Sequence, residues 1–212
     1  MRAYRGRFEV HLTVGADGPA AVARFAGWCR DRGFKCVRIV LARGQCVEQP
    51  MATWRRADTA LPDVLAEADG WAADAARAGL AVVRLKVEAD PHNADVPASD
   101  ADAAGHPPGC YFESHVKLRR PPAAPTAGLL AVCERHAAHL SRNSFRDGGG
   151  WHERFVTQRA YGVGLGTASA RLAALLAALG DAGEEVCEHE AEFCVHDSNQ
   201  RLDAGWLPGD PP

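Results

Sequence analysis

The chain has 212 residues, of which 47% are hydrophobic and 24% charged, with a formal net charge of −3. That suits one larger globular domain or two small ones sharing a core, and it excludes nucleic-acid binding driven by overall charge. No apolar run reaches the roughly 18 residues of a membrane helix, the start MRAYRGRFEV lacks the apolar segment of a secretory signal, and seven cysteines without a C-x-x-C pair argue against a disulfide framework or a zinc finger, so a reduced, cytoplasmic protein is expected.

The first strand is expected over about 7–14, where Phe8, Val10, Leu12 and Val14 alternate with Arg7, Glu9, His11 and Thr13. A helix over about 20–32 carries Val22, Phe25 and Cys29 on one side. A strand over about 35–43 and an extended piece over about 46–55 follow, and Pro50 points to an edge position or an irregular strand for the latter. The spacing of Leu61, Val64, Leu65, Ala68, Trp71 and Ala75 predicts a second helix, and a fourth strand is expected over about 80–88. Residues 91–109, rich in proline, glycine and aspartate, read as a connecting loop.

The second half, about 110–207, repeats that order. A strand covers about 111–118, a helix about 126–139, and a strand near 140–146 runs into the turn Asp147-Gly148-Gly149-Gly150. A further strand over about 151–160, a helix over about 168–180 capped by Thr167, and a last strand over about 186–196 complete the set, and residues 208–212 read as a frayed tail. Each half is therefore β-α-β-β-α-β, the order of a ferredoxin-like unit. The expected fold is α+β: two duplicated ferredoxin-like units with antiparallel sheets and pseudo-twofold symmetry, the first ending near residue 90. Residues support the repeat as well. Phe8-Glu9-Val10-His11 lies 104 positions before Phe112-Glu113-Ser114-His115, and Thr53-Trp54-Arg55 lies the same distance before Thr157-Gln158-Arg159.

The apolar set of each first strand faces helices, so Glu9 and His11, like Glu113 and His115, project from the other face. Arg38, Lys86, Arg159, Glu192 and His196 have the parity to line a groove between the halves. Histidine exchanges protons near neutral pH, so two of them at one groove suit general acid/base work. His11-Leu12-Thr13-Val14 has the H-x-T-x form and resembles the motif of the two-histidine phosphoesterases, a superfamily that includes the RNA 2',3'-cyclic phosphodiesterases. His115-Val116-Lys117-Leu118 matches it in the histidine and the apolar positions, with lysine in place of the hydroxyl. The resemblance implies a phosphodiesterase acting on a nucleotide or cyclic phosphate. His11 and His115 would be its acid and base, and Thr13, Lys117, Arg55 and Arg159 would bind the phosphate without a cofactor.

Two other classes stay open. Glu9, Glu113, Glu192 and His196, with the two histidines, are side chains able to hold a divalent metal between the halves, although no close ligand pair assigns one. A non-enzymatic ligand- or partner-binding protein is the third. Phe8 and Phe112 fall on the helix-facing side, so the open face lacks the aromatic platform typical of nucleic-acid binding. The small phosphorylated ligand is the partner the first reading implies, and the oligomeric state has no signature.

Overall fold

The computed structural model describes residues 2–15, 18–143 and 150–206. The first half runs β1 (Arg5–Val14), α1 (Pro19–Asp31), β2 (Lys35–Leu41), β3 (Glu48–Ala60), α2 (Leu61–Arg77) and β4 (Val82–Ala89). After a short α3 (Asp100–Ala103) come β5 (Tyr111–Arg120), α4 (Ala127–Arg135), β6 (Ala138–Asn143), β7 (His152–Tyr161), α5 (Leu165–Asp181) and β8 (Glu185–Asp197). The fold is α+β, and the eight strands close into one antiparallel barrel in the order β1-β3-β2-β6-β7-β5-β8-β4.

Each half contributes four adjacent strands, ordered β4-β1-β3-β2 and β8-β5-β7-β6. Two antiparallel seams join them. Ile39–Leu41 of β2 pair with 141–143 of β6, and Lys86–Ala89 of β4 pair with 193–197 of β8. Closure leaves no sheet edge among these strands. It also corrects the edge position offered for Pro50, which lies within β3 between β1 and β2. The pairing of β1 with β3 ends at Thr13 opposite Met51, so Pro50 sits one residue beyond that ladder, where a missing N–H costs no ladder bond.

The helices pack on the outside of the barrel and meet the apolar parity of the strands. Val10, Leu12, Trp54 and Val87 pack with Phe25, Val64 and Ala68 in one core, which Phe112 and Phe193 of the second half extend. Val116, Leu118, Leu140 and Val156 pack with Leu129, Leu175 and Leu179 in the other. On most strands the polar parity is left pointing into the barrel, whereas β2 turns Val37, Ile39 and Leu41 inward.

Three local expectations change. The connecting segment contains α3, closed by a capping box in which the Ser99 hydroxyl accepts from Asp102 N–H and the Asp102 carboxylate accepts from Ser99 N–H. The helix after residue 126 is shorter than its apolar spacing suggests, because Ala137 adopts φ 49° and turns the chain into β6. The cap of α5 is Gly164, not Thr167; Asp100 accepts from both Gly164 N–H and the Thr167 hydroxyl, tying the linker to that helix. A Cβ on Gly164 would lie 2.3 Å from the backbone of Ser99, so only glycine permits this approach. Residues 147–149 of the glycine-rich turn and the tail from 208 lie outside the described residues.

Leu175 is fully buried under α5. Leu175→Ala is expected to lower unfolding stability by about 2–5 kcal/mol, read by urea denaturation.

Candidate functional site in the barrel interior

The inward positions enclose a cavity of about 180 Å3. Its walls include Glu9, His11 and Thr13 of β1, Thr53 of β3, Arg84 and Lys86 of β4, Glu113 and His115 of β5, Thr157 and Arg159 of β7, and Glu192 of β8. Val37, Ile39, Leu41 and Met51 give one side an apolar wall.

The centre is a chain of charged contacts. His11 Nδ1 hydrogen-bonds the Thr53 hydroxyl at 2.9 Å, and its Nε2 lies 2.9 Å from Glu88 Oε2. His115 Nδ1 hydrogen-bonds the Thr157 hydroxyl at 3.1 Å, and its Nε2 lies 3.2 Å from Glu113 Oε1. Lys86 Nζ stands between the two carboxylates, 2.7 Å from Glu88 Oε1 and 2.6 Å from Glu113 Oε1. Strand register explains the histidine–threonine contacts: His11 is directly opposite Thr53, and His115 directly opposite Thr157. The carboxylates come from different places. Glu88 reaches His11 from β4, whereas Glu113 is two residues before His115 on the same strand.

A carboxylate on Nε2 keeps a proton on that nitrogen. The threonine hydroxyl can donate to a neutral ring at Nδ1 or accept from a cationic one. Each imidazole can therefore gain or lose its second proton at Nδ1 while keeping both partners. Each threonine–histidine–glutamate set has the nucleophile–base–orienter order of a catalytic triad. It forms without any nucleophile-elbow motif, because cross-strand pairing alone aligns it.

Burial by itself would raise the Glu88 carboxyl, but the ammonium of Lys86 and the imidazole of His11 outweigh it and hold it down at about 2. Burial would likewise raise Glu113, and Arg159, Lys86 and His115 together hold it well below the ordinary range. Burial opposes charge on His115, yet Glu113 and Glu88 draw its pKa upward. Burial also opposes charge on Lys86, and the same two carboxylates keep it above its usual value. Glu192 is the contrary case: burial first, then Glu88, Glu9 and Glu190, push it well above the usual carboxylate range. The interior thus holds carboxyls whose pKa values are pushed in opposite directions, an environment that separates acid from base roles.

The three cations expected to bind phosphate all face carboxylates. Arg55 donates to Glu9. Arg159 donates to Glu113 at 2.5 Å and to Asp203 at 2.8 Å. Lys117 pairs with Glu153 at 2.9 Å. Thr13 lines the cavity next to Arg84. Glu9, Glu113 and Glu192 reach the interior as parity predicts, but His196 does not. A bulge in β8 leaves His196 opposite Val87 of the outer core and turns Asp197 toward Lys86 and Arg84. Arg38 is also corrected: it pairs opposite Pro50 and meets Glu48, while Val37 and Ile39 face inward.

Sequence reasoning passed over Thr53, Thr157, Glu88 and Asp203. The two threonines carried a signal, since both lie in the repeat at 104 residues, and Glu88 shares the parity of Lys86. Asp203 had none. It sits in a single helical turn, Gln200–Asp203, after the last strand.

No known family model matches the chain, and no curated protein matches it. A solved structure provisionally assigned as a chlorite dismutase aligns over 90% of this chain and 95% of its own, at 12% identity and a TM-score of 0.29. A likeness at that level carries no argument about fold or function. None of the described helices is long and apolar enough to cross a membrane.

Two substitutions test the electrostatics. Lys86→Met leaves Glu88 and Glu113 without their shared cation and is expected to cost about 3–5 kcal/mol at pH 7. Their pKa values then rise, so urea denaturation should show a smaller loss at pH 5. Glu192→Gln acts oppositely. The folded chain holds the Glu192 proton more tightly than the unfolded chain, so Glu192 lowers stability as pH rises above about 4.5. Glutamine removes that dependence, and the variant's Tm should exceed the parent's at pH 8 and converge with it near pH 4.

Proposed function

We propose that the chain is an enzyme whose barrel cavity performs acid/base chemistry on a small polar substrate through His11 and His115. The carrying observation is that each imidazole is held between a threonine hydroxyl and a buried carboxylate, with the two carboxylates joined by Lys86. In this reading one ring takes a proton at Nδ1 through its threonine while the other delivers one. Glu88 and Glu113 orient the rings, and Lys86 keeps both carboxylates ionised. Each half is a copy of one ferredoxin-like unit, related to the other by a pseudo-twofold axis. The repeat at 104 residues and the matched strand orders support this.

The substrate class we propose is a small phosphodiester or cyclic phosphate, in line with the two-histidine motif. Two features set its terms. The cationic phosphate-binding candidates Arg55, Arg159 and Lys117 hold carboxylates that a phosphate must displace, and the imidazoles offer Nδ1, through threonine, instead of Nε2. A 180 Å3 cavity is below the roughly 300–1,000 Å3 of drug-sized sites, so a nucleotide would leave its base outside.

A second reading rests on one distance. Donor atoms of Glu88, Glu113 and His115 lie within 4.8 Å of one another, close enough for three side chains to share a divalent cation. Lys86 now supplies positive charge there, so a metal would have to displace its ammonium.

A hydrolysis screen over cyclic and linear phosphodiesters separates these readings. On the acid/base reading, His11→Gln and His115→Gln each lower kcat by about 10²–10⁴-fold with folding retained, and EDTA changes nothing. Activity abolished by EDTA and restored by manganese or zinc favours the metal. Parent-level activity in both histidine variants overturns the paired-histidine mechanism.

A further inference from the structure

The two mouths of the barrel are treated differently by the chain. At the end of β4 the backbone turns away through residues 90–99 to cap α5. At the end of β8 it folds back across the barrel, and Asp203 descends into the mouth. Asp203 accepts from Gln49 Nε2 at 2.8 Å, from Arg84 Nη1 at 2.7 Å and from Arg159 Nη2 at 2.8 Å. Its neighbour Trp206 lines the cavity, stacks on His139 at 4.6 Å and lies 4.3 Å from the Arg159 guanidinium. Asp203 is 4% exposed, and Arg84 is equally buried.

The opposite mouth has no such stopper among the described residues. A recess of about 170 Å3 there is lined by Lys35, Arg55, Lys117, Glu153 and Glu190, and it shares Lys35, His115, Phe155 and Glu190 with the central cavity. The arginine at the position equivalent to Arg159 is Arg55, whose side chain is 68% exposed. The same strand framework thus has one cationic mouth closed from within by a carboxylate and one mouth that none of the described residues closes.

We infer that the 200–206 turn is a fixed stopper keyed by Asp203, and that ligands reach the histidines only past Lys35, Arg55 and Lys117. These three residues then act as the specificity filter of the site: a ligand must compete with Glu9 and Glu190 for Arg55 and with Glu153 for Lys117 before it meets the acidic centre. The route follows from the stopper and holds whatever reaction the cavity performs.

Cysteine reporters at the two mouths test it. Phe155→Cys and Thr13→Cys are made in the full chain, and alkylation by N-ethylmaleimide is timed by peptide mass spectrometry. Phe155→Cys should react at least tenfold faster than Thr13→Cys. Adding Asp203→Asn with Trp206→Ala should speed Thr13→Cys about tenfold and leave Phe155→Cys unchanged. The fully buried native Cys29 reports unfolding; if it becomes reactive in the double variant, Trp206→Ala alone is used. Equal rates at the two mouths in the parent, or an unmoved Thr13→Cys rate in a folded stopper variant, would overturn the proposal. Loss of histidine dependence in the hydrolysis screen would leave it standing and remove only the acid/base reading.

Discussion

The ammonium of Lys86 lies within 2.7 Å of two carboxylates that are themselves buried, and the rest of the interior is arranged around that fact. Removing a charged group from water costs several kcal/mol, and attraction to a partner repays this only when geometry is good and the remaining hydrogen-bonding positions are filled. Here one cation serves Glu88 and Glu113, and each carboxylate also holds a histidine. Arg159 takes the second oxygen of Glu113 and reaches on to Asp203, which Arg84 shares with Asp197. The balance extends from one His–Thr pair through the barrel to the stopper at its mouth.

Such an interior requires the apolar surface to go elsewhere, and the helices take it. Small barrels commonly fill their interiors with packed side chains. In this chain hydrophobic burial lies mainly between the strands and the outer helices, in two cores, and the interior holds the charged network. Apolar packing and the charged network are thereby carried by opposite faces of the same strands. Substitutions at inward positions act mainly through charge, and those at outward positions through packing.

The halves repeat the His–Thr contacts and the Glu–Arg contacts, Glu9 with Arg55 and Glu113 with Arg159. They differ where the chain leaves each last strand. That difference gives the barrel two unlike ends, and it makes Arg159 a buried structural link while Arg55 stays largely open to solvent.

The sequence alone determined the element order, the helix-facing residues and the inward projection of Glu9, His11, Glu113 and His115, because side-chain alternation and helical spacing are local properties of the backbone. It also marked Thr53 and Thr157 through the repeat, without showing that they would stand opposite the histidines. Closure of the strands into one barrel was not legible, since the seams β2–β6 and β4–β8 join segments about a hundred residues apart. Nor was the bulge that sends His196 outward and Asp197 inward, because one extra residue reverses parity with no mark in composition. Glu88 became the partner of His11, and Asp203 the key of one mouth, only when tertiary structure placed distant carboxylates beside cations. The histidine strands on which the repeat rests were local and readable; the partners that define their chemistry depend on cross-barrel distance, which only the folded chain sets.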